Sequence, residues 1–343
     1  MKKLILSLIA VAVGTLSSFA QSDLVATLSH GSSLSTFSGT NALSDAYAVA
    51  EEGDVITLSS GSFDAITIEK AITLRGAGCL MNPTTFIEPT ILTGYLVINL
   101  PNDDGVFNME GVNLANRVDL YGENLKHAKI SKCYFSNGVR IRGCYPVFSQ
   151  SIINGAYNSG TSVNWYQGSG CNCNTRADFF NCVVFQPSEY DGDGYTSTAK
   201  FDHCILAYPQ NSSDSFLKKS IITNCIIVAT HNTNIGTGCS VFNCLGTNSG
   251  ATMFSSFPNG NNASEEDMNK VFKTMISHVF SVNETFELTE TAASTYLGDD
   301  GTQVGIYGGT NPFNPTPTNP QVKKFTVTST TEGDQLKVKI NVE

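Results

Sequence analysis

The sequence predicts an all-β fold: a right-handed parallel β-helix (a solenoid) with a short N-terminal capping helix and a C-terminal hairpin extension. Three observations carry the prediction. A nine-residue phrase, clearest as Ala177-Asp-Phe-Phe-Asn-Cys-Val-Val-Phe185, recurs with its centre at Val112, Cys133, Ser151, Cys182, Cys204, Cys225 and Cys244, in steps of 21, 18, 31, 22, 21 and 19 residues. Self-similarity at such a period is the mark of a solenoid. Within a copy the apolar residues stand five and three places before the centre, at the centre and two places after it, as in Ala199, Phe201, Cys204 and Leu206. That is period two, a one-residue skip, then period two again. The helical period of 3.6 is missing, which excludes the all-α solenoids.

The skip defines the local geometry. A strand alternates faces at every residue, so a skipped residue means that the chain bends and a second strand begins. Asn181, Asn224 and Asn243 occupy the bend, with Lys132, Gln150 and His203 as substitutes. Asn tolerates the left-handed conformation that a corner of this kind needs. Two short strands about a corner, restacked every 20 or so residues, make one rung of a parallel β-helix, and parallel crossovers are almost always right-handed.

The elements follow in order. Met1–Ala20 has Lys2 and Lys3, an apolar run and a small-residue end, which reads as a secretory signal cleaved after Ala20. The run is too short to span a bilayer, so the mature chain is expected to be exported without a transmembrane segment, to the periplasm, the cell surface or the medium. Losing the two lysines moves the net charge from −10 to −12, which argues against nucleic acid or an anionic membrane as partner. A monomer is expected. Residues 21–312 form the β-helix with its caps, and 313–343 a Pro-rich linker and terminal hairpin.

Asn41–Glu51 reads as a helix with Asn41 as N-cap, placed to cover the first rung. Strands are expected at Gly53–Leu58, Ala65–Ile68 and Ala71–Gly78. After Gly246 the rungs fade, and Asn262–Val279 reads as a lid helix that opens on a capping box at Ser264. Pro312 to Pro320 is linker-like, and Lys323–Ser329 with Gln335–Val342 alternate about Glu332-Gly-Asp334 as a hairpin.

The opening, Gly53-Asp-Val-Ile-Thr-Leu58, then Gly61-Ser-Phe63, Ile66-Thr-Ile68 and Ile72-Thr-Leu-Arg-Gly-Ala-Gly78, resembles that of secreted right-handed β-helix proteins of the pectate-lyase-like superfamily. The Asn-Cys rungs resemble the same group. Thr302-Gln-Val-Gly-Ile-Tyr-Gly-Gly309 resembles the closing coil of its exported bacterial members. The likeness covers about residues 41–312. It implies the fold and leaves activity open, because that superfamily holds lyases, hydrolases and non-enzymatic surface proteins.

Ten cysteines in an exported chain ordinarily imply disulfides. Here Cys133, Cys182, Cys204, Cys225 and Cys244 share one position of the rung. Stacked strands would hold their Cβ atoms about 4.8 Å apart, whereas disulfides prefer about 3.8 Å, so they are expected to be buried thiols. Cys144, Cys171 and Cys173 fall in turns or the long loop, where a bridge from Cys144 to one of the other two is open to the chain. No metal centre is expected. Asp191 and Asp193 read first as a solvated glycine turn and only second as part of a Ca²⁺ site, so no cofactor is assigned.

The strands that follow each corner pair would run along the face that carries the groove in pectate-lyase-like enzymes. There Arg117, Asp119, Tyr121, Arg140 and Arg142, with Tyr166 beside them, are expected to project from adjacent rungs. The arginines suit carboxylates and the tyrosines suit sugar rings. Trp165, in the neighbouring loop, is ambiguous as a member of this face, since alternation after Val163 would turn it inward. The paired-aspartate, Gly-His-Gly and Arg-Ile-Lys signatures of polygalacturonases are missing, as are the Asp-His and Arg-x-Pro-x-x-Arg patterns of pectate lyases. Two readings follow: a non-catalytic exported protein with a glycan- or cell-surface-binding face, which is favoured, and a polysaccharide lyase or glycoside hydrolase acting on an acidic polysaccharide.

Overall fold

The computed structural model describes residues 24–342, except 82–86, 102–104, 123–127, 156–161, 166–174, 188–196, 208–216, 230–234, 248–252, 275–280, 282–283, 319–321 and 333–334. The expected signal peptide, Tyr166, the Asp191/Asp193 turn and the Cys171/Cys173 pair lie outside the described residues.

The chain is an all-β parallel solenoid with, among the described residues, three short helices. Its strands stack into three sheets of eleven, ten and five strands, and every pairing between successive rungs is parallel. The repeat reads directly onto them. Residues ahead of the corner, such as Thr175–Phe180 and Ser197–Asp202, build the first sheet, and those after it, such as Val183–Phe185 and Ile205–Ala207, build the second. The register matches anchor to anchor, with Phe179 opposite Phe201 and Val184 opposite Leu206. Lys132, Gln150, Asn181, His203, Asn224 and Asn243 all adopt φ between +49° and +56°, the left-handed corner that the skip demands. The residues three before the anchor stack face to face through the interior. Phe148, Phe179 and Phe201 lie 4.9 and 4.8 Å apart, with ring planes within 10° of parallel.

The structure explains the cysteines. Each anchor thiol donates to the carbonyl two residues back: Cys133 to Ser131, Cys182 to Phe180, Cys204 to Asp202, Cys225 to Thr223 and Cys244 to Phe242, at 3.0–3.4 Å. The same carbonyls accept the corner amide of the preceding rung, as Phe180 O does from Gln150 N and Thr223 O from His203 N. The anchor therefore fills the second lone pair of a carbonyl at a buried bend. Ser151, the one anchor hydroxyl among these copies, does the same to Ser149 O at 2.8 Å. The five anchor thiols are free and buried, and burial pushes that of Cys133 up to about 12. Cys144 is also a free buried thiol, donating to Leu120 O.

The N-terminal helix is Ala42–Val49, with Asn41 at its cap, and it buries Leu43 and Ala46 against the interior of the first rungs. Ahead of it stands an antiparallel hairpin, Val25–His30 with Ser33–Ser38, that extends the first sheet beyond its first parallel strand. The sequence reading had no strand there.

Two C-terminal expectations are corrected. Ala263–Glu265 is a strand paired with Leu245–Thr247, so the rungs continue where a helix cap was expected. Asn261, with φ +53°, supplies one more corner. The helix that follows is only Met268–Val271, and its N-cap is Asp267, which accepts from the Asn269 amide. Nor is the cover an end lid. Val271, Phe272, Phe286, Leu288, Val304 and Ile306 pack on the outer face of the second sheet, against Val183, Ile205, Ile226 and Leu245. These last four are apolar because late rungs are buried on both faces, which makes parallel strands read as continuous apolar runs.

Thr302–Gly309 is likewise not a closing rung. It belongs to a strap, residues 298–318, that runs back along the corner row from late rungs to early ones. Asn224 Nδ2 donates to Asp299 Oδ1, and Asn181 Nδ2 to Ile306 O and Gly308 O at 2.9 and 2.8 Å. Gln150 Nε2 donates to Asn311 O and Pro312 O, and Lys132 Nζ to Thr316 O. Glu110 receives the amide and hydroxyl of Thr318. Part of the stretch read as a linker is thus docked, and Pro317 is buried beside Gly111. The approach needs glycine. A Cβ on Gly308 would lie 2.5 Å from the His203 ring, and one on Gly305 2.7 Å from Ile226. The terminal hairpin, Val322–Glu332 with Gln335–Val342, is antiparallel and longer than the alternation indicated.

Candidate functional site

The third sheet is the one singled out by the candidate residues. Val118–Tyr121 pairs with Val139–Arg142 on one side and with Leu96–Asn99 on the other, and Val163–Trp165 follows beyond Val139–Arg142. Val118, Leu120, Val139 and Ile141 point in and are fully buried, and Trp165, whose direction the sequence left open, also turns inward. The register places Asp119 beside Arg140 and Tyr121 beside Arg142 on the outer face.

Asp119 is nonetheless fully buried, because its neighbours close over it. A single oxygen, Oδ2, accepts the hydroxyls of Tyr95 and Tyr121 and the Nη2 of Arg140. The same Nη2 reaches the Tyr95 hydroxyl at 3.0 Å and also bonds Tyr121, whose ring lies 5.4 Å from the guanidinium carbon. Burial raises the Tyr121 pKa, and the hydrogen bond to Asp119 raises it further, so the phenol stays a neutral donor. Arg117 is exposed and Arg142 half-buried at the borders of this cluster.

Of the candidate residues, the structure brings Asp119, Tyr121 and Arg140 into one hydrogen-bonded unit and leaves Arg117 and Arg142 beside it. It also changes what Arg140 means. Its guanidinium completes a buried ion pair, and removing one partner of such a pair typically costs about 3–5 kcal/mol. An Arg140→Ala change is therefore a fold perturbation as well as a binding one. Tyr95, 43 % exposed, is the member that sequence reasoning missed. Its rung lacks the Asn-Cys phrase: the anchor there is Thr90, paired with Val112. The signal was a 22-residue step back from Val112, with Leu92 two places after Thr90.

A second concavity, of about 570 Å³, lies between the first sheet and the strap. At its late-rung end His203 is held on both ring nitrogens. Nδ1 is 3.1 Å from Asp202 Oδ1, and Nε2 is 3.3 Å from Thr302 Oγ1 and 3.6 Å from Asp300 Oδ1. Thr302 Oγ1 donates to Asp300 and accepts the Gly309 amide, so it can only accept from His203. Burial opposes a charge on His203, but the Asp202 hydrogen bond and the charges of Asp202 and Asp300 outweigh it and raise its pKa. Burial is the largest single influence on Asp202 and Asp300 and opposes their charge, but their hydrogen bonds and the charge on His203 together outweigh it and hold both below the usual carboxylate range. Among the described residues no group of three His, Cys, Asp or Glu side chains has the geometry to hold a metal ion.

The fold and this face define a parallel β-solenoid with a tyrosine–arginine–aspartate unit on its third sheet. Comparison with protein-family models, curated proteins and solved structures finds no match to the chain.

Proposed function

We propose that this is an exported solenoid of the pectate-lyase-like kind whose third-sheet face binds a glycan without cleaving it. The observation that carries the reading is the Asp119 unit. One buried carboxylate fixes two phenols and a guanidinium, so the ring of Tyr95 is presented with its hydroxyl already tethered. A ring ordered before binding loses little entropy on stacking against a sugar. Arg117 and Arg142 border the same face and favour acidic polymers.

The same geometry weighs against the lyase or hydrolase reading. A general base needs a lone pair within reach of the substrate proton. Asp119 is wholly covered and already accepts three donors.

The test is a panel of acidic and neutral polysaccharides in affinity electrophoresis, with wild type and Tyr95→Ala. Wild type should be retarded by at least one acidic polymer. Losing a stacked ring worth about 0.5–1.5 kcal/mol should weaken that binding roughly 2- to 13-fold. Release of unsaturated or reducing ends would overturn the non-catalytic reading, and indifference to Tyr95→Ala would move the site off this face.

A further inference from the structure

We infer that the groove between the first sheet and the strap is a second, chemically different site, which takes an extended neutral oligosaccharide with equatorially linked rings. It goes beyond the third-sheet reading and does not depend on it.

The floor is one outward position repeated rung after rung: Ser131, Ser149, Phe180 and Asp202 occupy equivalent places on neighbouring strands. Thr310 and Asn311 of the strap form the opposite wall. The floor groups therefore recur at the strand spacing of about 4.8 Å along the solenoid axis. A ligand that satisfies several of them must repeat at nearly that distance. Pyranose rings joined through equatorial bonds do so, whereas an extended peptide advances about 3.4 Å per residue and drifts out of step within a few residues.

The lining has the composition that a sugar chain requires. Hydroxyls and amides line most of its length, and Phe180 supplies one partly exposed ring. The Lys200 ammonium lies over it, 5.0 Å from the ring centroid. Charge excludes the alternatives. Glu110 with Lys132 stands at one end, and Asp202, Asp299 and Asp300 with His203 and Lys200 at the other, so acids outnumber bases even when His203 is protonated. A polyuronate would meet repulsion here, in contrast to the arginine-bordered third sheet. The corner side chains are spent on the strap, so the groove exists only while the strap is docked.

The experiment uses the full chain and calorimetric titration with cellohexaose, chitohexaose and hexagalacturonate. Binding of a neutral hexamer is expected, with affinity lowered at least tenfold by Phe180→Ala and by Ser149→Tyr, which fills the groove, and unchanged by Tyr95→Ala. Equal circular dichroism and melting of each variant establish that the strap is still seated. No heat with either neutral hexamer would overturn the inference, as would binding of either that Tyr95→Ala abolishes and Phe180→Ala does not. Preference of this groove for hexagalacturonate would refute the charge argument. Failure here with retained polysaccharide binding through Tyr95 would leave the third-sheet reading standing, and the converse result would separate the two in the other direction.

Discussion

Asn181 does two jobs, and substitution separates them. Its backbone holds φ +51° at the corner, and its side-chain amide donates to two strap carbonyls inside the protein. Asn181→Ala removes both hydrogen bonds. Ile306 O keeps the Phe313 amide, at 2.7 Å, while Gly308 O loses its buried amide donor. One lost bond and one stranded carbonyl come to about 1.5–4.5 kcal/mol. Placing Ala in the left-handed region adds about 1 kcal/mol. The sum is about 2.5–5.5 kcal/mol. Asn181→Gly loses the same bonds with no left-handed penalty, so it should fall about 1 kcal/mol short of Ala before the entropy that Gly gives the unfolded chain. Denaturant midpoints of the three proteins at constant slope give the energies. Hydrogen exchange at the Gly309 and Phe313 amides locates them, since only the strap should lose protection while the rungs keep theirs. If both variants unfold within 0.5 kcal/mol of wild type and strap exchange is unchanged, the corner ladder does not anchor the strap.

Other outcomes follow from the same contacts. His203 has a raised pKa when folded, so its contribution is complete below its unfolded value of about 6.5 and is lost as pH rises through the folded value. Asp202 and Asp300 have lowered values, so theirs is present above about pH 4 and lost on acidification. Strap protection should therefore be greatest between these limits. His203→Gln should flatten the alkaline side and also weaken the acid side, because the charge on His203 helps to lower Asp202 and Asp300; an unchanged alkaline limb in hydrogen exchange would exclude this clamp. Cys225 both donates to Thr223 O and accepts from Cys204 N, the two roles that Ser151 plays with Ser149 O and Cys133 N. Cys225→Ser should accordingly cost about 1 kcal/mol or less, and Cys225→Ala, which strips both bonds and leaves a void, about 1–3 kcal/mol. Equal midpoints for the two variants would remove the hydrogen-bonding account of the ladder.

The rungs were legible because they are written seven times, and a pattern of apolar positions with one skipped residue leaves a single arrangement that buries them all. The register of Phe179 on Phe201, the left-handed corners and the buried thiols follow from that. What was written once was not legible. The strap has no repeat to align, and Pro312, Pro315 and Pro317 read as linker because proline cannot continue a ladder. Yet a segment held by side chains donating to its carbonyls has no need of its own amides at those places. The second apolar face was in view, in Val183, Ile205, Ile226 and Leu245, but only one face of each copy had been assigned a role. On the third sheet, alternation correctly put Asp119 on the outer side. Alternation carries no information about what lies over a residue, so its burial under Tyr95, Tyr121 and Arg140 needed the structure.

The path of the strap bears on how this molecule comes apart. A stack of rungs in contact only with their neighbours opens from its ends, one rung at a time, each step costing a single interface. A tether laid across the stack from Asn224 to Glu110 alters that arithmetic. A rung in the middle cannot leave without releasing its own hold on the tether, and a rung at either end of the tether cannot leave without straining the holds of those between. Under a pulling force, or before a protease that feeds on frayed ends, the spanned rungs should yield together as one block, while the hairpin and helix ahead of Glu110 and the last rungs beyond Asn224 are free to open in smaller steps.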